Sequence, residues 1–222
     1  MALRVRDLTF AHDGAQVVVR GWSQDFPAGP SLLLGDEGSG KTTLLRLLAG
    51  ELTPRSGGLQ LVRADALAGA GADPVEALDA SDSAAWRRQV FWHDPNGPWA
   101  DGDDRVSAWA TAAEQAHPGW SRAAWQRHVA GFGLAPHLDK TLHQLSTGSR
   151  RKVLLAAALA SGAPLTLIDE PVAALDRASI TYLCQALAQH ARTPPGEARV
   201  LLVAHYDSLG DLPWRRVVPL PG

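Results

Sequence analysis

Eight consecutive residues carry the first chemistry in this chain: Gly35-Asp36-Glu37-Gly38-Ser39-Gly40-Lys41-Thr42, the spacing Gly-x-x-x-x-Gly-Lys-Ser/Thr. Gly35, Gly38 and Gly40 permit tight backbone turns, so successive amide N–H groups can point inward around a phosphate. From Lys41 through Thr42 and Thr43 the pattern becomes helical, and the positive end of that helix faces the same anion. The Lys41 ammonium suits β- and γ-phosphate oxygens, and the Thr42 hydroxyl suits Mg²⁺. Only three of the 21 basic residues are lysines (Lys41, Lys140 and Lys152), which makes the placement of Lys41 informative. A glycine-rich turn before a helix can also bind nothing. The apolar run Ser31-Leu32-Leu33-Leu34 before the loop and the apolar helix after it argue for the phosphate site, because that context is what the loop needs.

A second chemical element lies far along the chain, where Leu165-Thr166-Leu167-Ile168 runs into Asp169-Glu170. This is a Walker B arrangement, a strand that ends in two acids. Side chains alternate along a strand, so the two carboxylates point differently and take different roles. Asp169 is expected to hold Mg²⁺ and Glu170 to act as general base on the attacking water, with ATP as the substrate. An acid pair after an apolar strand can equally mark only a helix start, and its pairing with the upstream glycine loop decides for catalysis.

Leu145-Ser146-Thr147-Gly148-Ser149, placed before the acid pair, resembles the LSGGQ signature of the ATP-binding cassette (ABC) family. Glu170-Pro171-Val172-Ala173-Ala174-Leu175-Asp176 is similar to that family's D-loop, and His205 stands where its switch histidine belongs. The order and spacing agree over nearly the whole chain. The resemblance implies a Mg²⁺-dependent ATPase in which Ser146 and Gly148 bind the γ-phosphate of ATP held by a second cassette, so two chains sandwich two nucleotides head to tail. Lys41, Glu170 and His205 are the catalytic set it implies. It further implies a transmembrane transporter subunit as partner, and a cytoplasmic chain held peripherally at the membrane by that subunit. Two other outcomes stay open: a soluble ABC ATPase in an assembly process, and an ATP-dependent dimerisation switch with weak turnover.

Four residues depart from the family pattern. Thr147 and Ser149 replace a glycine and the glutamine of the signature. His93, in Val90-Phe91-Trp92-His93-Asp94-Pro95, falls where a Q-loop glutamine would approach metal and water, and a slip of the alignment would make it an ordinary loop residue. His12 falls where an adenine-stacking aromatic is usual, two residues after Phe10.

These groups must be positioned by a sheet-containing core. Alternation at Leu3, Val5 and Val17 to Val19, with turn signals at Asp13-Gly14 and Ala28-Gly29-Pro30, predicts short antiparallel strands. Further strands are predicted at Ser31 to Leu34, Leu59 to Val62, Leu165 to Ile168 and Val200 to Ala204. Helices are predicted over Lys41 to Ala49, Val106 to Gln115, Ser121 to Gly131, Arg150 to Ala160 and Ala178 to Ala191, with Gly50 closing the first. Residues 64 to 85 read as a loosely structured connection. The fold expected is an α/β P-loop NTPase core with a mostly parallel sheet, an antiparallel β edge and a helical insert. It forms one domain over 1–222, with the core at 1–94 and 162–222 and the helical subdomain at 95–161.

The bulk properties narrow the partners. A net charge of -2 gives no electrostatic reason to expect nucleic acid. The single cysteine, Cys184, has no internal partner, and the longest apolar run, Val153 to Ala160, is far short of a membrane span. Six of the eight tryptophans (Trp86, Trp92, Trp99, Trp109, Trp120 and Trp125) fall around the Q-loop and the start of the helical insert. Packing inside the small lobe is their expected role, with docking of a partner helix as the alternative. Arg150, Arg151 and Lys152 read as an exposed helix face.

Overall fold

Two sheets with helices between and below them make up the structure, a computed structural model that describes residues 1–12, 17–62, 78–95, 97, 104–194 and 199–220. The first sheet is antiparallel, in the order β2-β1-β4-β5: β1 (Ala2–Ala11), β2 (Val17–Phe26), β4 (Ser56–Val62) and β5 (Leu78–Asp79). The second has the order β6-β7-β8-β3-β9: β3 (Gly29–Leu34), β6 (Val90–Phe91), β7 (Leu165–Asp169), β8 (Val200–His205) and β9 (Arg216–Pro219). Each of its neighbouring pairs is parallel, with Leu33 opposite Ala204 and Asp169 also opposite Ala204 from the other side.

Burial on both faces explains why β7 and β8 read as continuous apolar runs rather than alternating ones. Their side chains still alternate between two cores. Leu33, Leu167 and Leu202 face the core shared with the antiparallel sheet and α1 (Lys41–Leu48). Leu32, Ile168, Leu201 and Val203 face a second core with α5 (Thr147–Ala160) and α6 (Arg177–Arg192). In α1 the buried face is Leu44, Leu45, Leu47 and Leu48, and the helix closes at Ala49 and Gly50 as its sequence predicts. Trp86, on α2 (Ser83–Gln89), is fully buried and donates its Nε1–H to the Leu48 carbonyl at 2.9 Å. Trp92 packs on the first core, and Trp109, Trp120 and Trp125 on the second, all partly buried, while Trp99 lies outside the described residues.

The helical part comprises α3 (Val106–Ala116), α4 (Arg122–Gly131) and α5. The Arg199 guanidinium fastens the far end of α5, donating to the carbonyls of Ala158 (3.1 Å) and Leu159 (2.8 Å) and to the hydroxyls of Ser161 (2.9 Å) and Thr166 (2.7 Å). A cation there also suits the negative end of the helix. Burial lowers the Arg199 pKa to about 10, so it stays charged at neutral pH.

Several sequence expectations change. The last helix of the insert starts at Thr147, not Arg150, because Ser146 caps it: Ser146 Oγ accepts from the Ser149 amide at 3.1 Å. The basic run is not a solvated face. Arg151 is buried, Arg150 donates to the Leu142 and His143 carbonyls, and Lys152 pairs with Asp176. Within the connection expected at 64 to 85, β5 and the start of α2 are ordered elements, α2 being capped by Asp82. Residues 64–77 of that connection and the Asp13-Gly14 turn lie outside the described residues. Strand β9 went unpredicted, because its four residues carry little pattern of their own. Among the described residues no helix is long and apolar enough to cross a membrane.

Candidate functional site

The glycine loop joins the end of β3 to the start of α1, as the sequence context requires. Gly38 and Gly40 take φ of 80° and 84°, the left-handed region where a side chain is strained, and Gly40 stands at the N-cap of α1. Gly35, Asp36, Glu37, Gly38, Ser39 and Gly40 lead into Lys41, Thr42 and Thr43 in the first turn, with the Gly35 amide donating to the His205 carbonyl (3.1 Å) and the Ser39 amide to the Asp36 carbonyl (3.2 Å). Lys41 is 7 % exposed and its ammonium donates to the carbonyls of Gly35 (2.7 Å) and Asp36 (2.8 Å). It also stands 3.2 Å from Glu170 Oε1.

Strand β7 delivers the acid pair beside this loop, one strand removed from β3. The two carboxylates separate as alternation demands. Asp169 Oδ2 accepts from the Thr42 hydroxyl at 2.5 Å, while Glu170 Oε2 lies 2.7 Å from His205 Nδ1. Burial holds the Asp169 carboxyl above its usual pKa, and the neighbouring Glu170 charge adds to this, against the opposing Thr42 hydrogen bond and Lys41 charge. Its Oδ1 is buried and has no hydrogen-bond partner. Glu170 itself has φ of 42°, a left-handed conformation uncommon for a residue with a side chain, which turns its carboxylate away from β7 toward Lys41 and His205. His205, 1 % exposed, ends β8 and thus reaches Glu170 from the adjacent strand.

Other predicted residues stand apart from this cluster. Ser146 spends its hydroxyl on the α5 cap, and Gly148 packs against the D-loop segment, where a Cβ would come 2.4 Å from the Ala174 carbonyl oxygen. Asp176 caps α6 and pairs with Lys152, whose hydrogen bond holds the Asp176 carboxyl well below the usual range. His93 packs at a tilt against Phe91 (5.6 Å) and Trp109 (5.3 Å) and lines a cleft shared with Asp169 and Arg151. Desolvation by the surrounding protein lowers its pKa. His12 is exposed and meets Phe10 edge-on at 5.0 Å.

Two features escaped the sequence reading. A cleft of about 240 Å³ opens beside the loop, lined by Val18, Arg20, Trp22, Ser39, Gly40 and Leu44, and His12 is not among its walls. The Arg151 guanidinium donates to the Asp169 carbonyl at 3.2 Å and to the Glu170 carbonyl. As the middle of the run Arg150-Arg151-Lys152 it gave no local signal of a buried role.

A glycine loop between a parallel strand and a helix, with a strand-borne acid pair beside it, defines a P-loop nucleoside triphosphatase. A profile of the ABC transporter family matches residues 23–173, more than half of the chain. The chain belongs to that family, as an ATP-binding and ATP-hydrolysing subunit. It is 36 % identical over 195 residues to a cytochrome c biogenesis ATP-binding export protein CcmA of Paramagnetospirillum magneticum, spanning 87 % of this chain and 83 % of the relative. With a cobalt import ATP-binding protein CbiO of Rhodobacter capsulatus it shares 33 % over 195 residues, 83 % of this chain and 64 % of the relative. A solved ATP-binding subunit of an ABC transporter superposes with a TM-score of 0.77 at 22 % identity, over 99 % of this chain and 86 % of that one, which supports the fold.

Proposed function

We propose that this chain binds Mg²⁺-ATP in the glycine loop and hydrolyses it with Glu170 as general base, in a pair of cassettes that drives a membrane-embedded transporter subunit. The observation that carries this reading is the convergence of Lys41, Thr42, Asp169, Glu170 and His205 at one point, from α1 and two strand ends. The loop from Gly35 to Thr43 and the positive end of α1 bind the phosphates. Lys41 exchanges the Gly35 and Asp36 carbonyls for β- and γ-phosphate oxygens when ATP enters. The cleft at Val18, Arg20 and Trp22 lies beside the glycine loop, where a base attached to those phosphates can extend.

The donor set beside the loop fits Mg²⁺. Thr42 Oγ1 and Asp169 Oδ2 are hard oxygens in contact, and the partnerless buried Asp169 Oδ1 is an acceptor that a cation would satisfy. Thr42 and Asp169 are the residues that would hold the ion, with His93 at the far edge of the same cleft. When bound, it supplies neutralisation of phosphoryl charge. Glu170 takes the proton from the water that attacks the γ-phosphorus, and the bond to the ADP oxygen breaks as the new P–O bond forms. His205 fixes the carboxylate that performs this transfer.

Ser146 and Gly148, which stand apart from the chain's own loop, serve the nucleotide of a second cassette. The signature end of α5 is offered outward, with the Ser146 and Thr147 side chains exposed. The helical region 95–161 acts as a subdomain that contacts the membrane subunit, placing the chain at the cytoplasmic face of the membrane through that partner. Relatives named as ATP-binding export and import proteins support the transport role.

ATP turnover by the purified chain against Glu170→Gln tests the catalytic assignment. A loss of about 100-fold or more in kcat is expected, and native turnover in the variant would refute Glu170 as base. Mild-detergent purification of the tagged chain from its own cells tests the transport role. A multi-span membrane protein in stoichiometric amount supports it, and recovery of soluble partners alone moves the reading to a soluble assembly ATPase.

A further inference from the structure

The geometry points to Arg151 as a positioning residue that holds Glu170 in its catalytic orientation, an inference that rests on Glu170 being the base. Arg151 lies on α5, five residues beyond the Ser146 cap, and is 7 % exposed. A buried guanidinium that forms no direct ion pair with a carboxylate side chain has to be matched by other acceptors. Here one terminal nitrogen reaches two successive backbone carbonyls, those of Asp169 and Glu170. It grips the peptide planes on either side of the Glu170 α-carbon.

Those planes are where the chain is strained. The Glu170 φ of 42° costs free energy that the surroundings must offset, and it persists only if the neighbouring groups are fixed. The amide of Glu170 is held by the Ala204 carbonyl at 2.9 Å, so Arg151 and β8 clamp the residue from opposite ends. The carboxylate then projects to Lys41 and His205. Removing the guanidinium leaves the side-chain contacts in place but frees the backbone that aims them. Among the described residues no hydrogen bond or ion pair joins Arg151 to the glycine loop directly, so the groups that hold the phosphates are expected to stay in place.

Because α5 also begins with Ser146 and Gly148, Arg151 ties the signature turn mechanically to the acid pair. Arg151 is thus placed to pass the seating of α5 against a neighbouring nucleotide on to the orientation of Glu170.

The test compares the full chain with Arg151→Met, Arg151→Gln and the double variant Arg151→Met/Glu170→Gln. The readouts are kcat, KM for ATP, and the Kd of a non-hydrolysable ATP analogue. A misaimed base lowers kcat by about 10- to 100-fold while KM and Kd stay within about two-fold. Arg151→Gln, which keeps one donor, recovers part of the loss, and the double variant is no slower than Glu170→Gln alone. An unchanged kcat in Arg151→Met, or a loss that appears in KM and Kd, overturns the positioning role. If Arg151→Met does not fold, Arg151→Gln is read by the same criteria. An inactive Glu170→Gln beside a fully active Arg151→Met overturns this inference alone, whereas native turnover in Glu170→Gln overturns the base assignment beneath it.

Discussion

Replacing Gly148 by alanine tests how tightly the signature turn is seated against the D-loop. The backbone at Gly148 is ordinary helix, so the added methyl is strained only by space. Its Cβ would stand 2.4 Å from the Ala174 carbonyl oxygen, and ordinary contact begins at 3.4 Å, so the two segments must part by 1.0 Å, the difference of those distances. The atom it meets is backbone, in a residue held at φ of 61°, so no side chain can swing aside to relieve the clash. The overpacking cost of about 1–3 kcal/mol is therefore met toward its high end. Alanine gains up to about 1 kcal/mol of helix propensity over glycine, which offsets part of it. Stability should fall by about 1–2 kcal/mol. Activity should not be spared, because Ala174 is only four residues from Glu170, and a shift near 1 Å at a reacting group can cost about 100-fold in rate. Urea unfolding with steady-state ATP turnover separates the two effects, with the exposed Thr147→Gly as a control that alters the signature without the clash. Native turnover in Gly148→Ala at unchanged stability would refute the seating argument.

Other outcomes follow from the buried cations and imidazoles. Arg199→Met strips four hydrogen bonds from the end of α5 and from Thr166, and should lower unfolding stability by roughly 2–4 kcal/mol, read as a fall in urea midpoint at constant slope; an unchanged midpoint would show the staple to be idle. His128 is 4 % exposed, and burial with the nearby Arg127 and Arg199 charges lowers its pKa to about 4. Below pH 6.5 the unfolded chain takes up this proton first, so the stability contribution is complete above 6.5 and is lost as pH falls toward 4. The loss is about 2 kcal/mol by pH 5. His190 shifts in the same direction, to about 4, and adds to the slope in the same window. His128→Gln should flatten the fall in urea midpoint between pH 7 and 5, and an equal fall in both proteins would exclude His128 as its source.

What the sequence made legible follows from how local each signal is. The glycine loop, the acid pair and the capped turn of α5 are each written in a few adjacent residues, and their order along the chain was enough to read the family. Partnership across strands is not local. That Glu170 would meet Lys41 and His205 could be guessed from roles, but the left-handed turn that aims it is invisible in Asp-Glu-Pro. Arg151 was misread for a related reason, since a run of three basic residues suggests solvent until the interior carbonyls that receive the middle one are known. His12 is the converse case. Its alignment position suggested base stacking, whereas the cleft beside the loop is walled by Val18 and Trp22 from β2, a strand with no motif to announce it.

Helix α5 is pinned twice. Arg151, near its start, binds the end of β7, and Arg199, just before β8, binds its last turn. At 14 residues it is a strut of about 21 Å between the signature turn and the base of the sheet. A strut fixed at both ends cannot slide or fray independently. A push on its exposed tip is therefore carried into the sheet as a tilt of the whole rod, and its amides should open to solvent as one block, on the timescale of the core rather than of the surface.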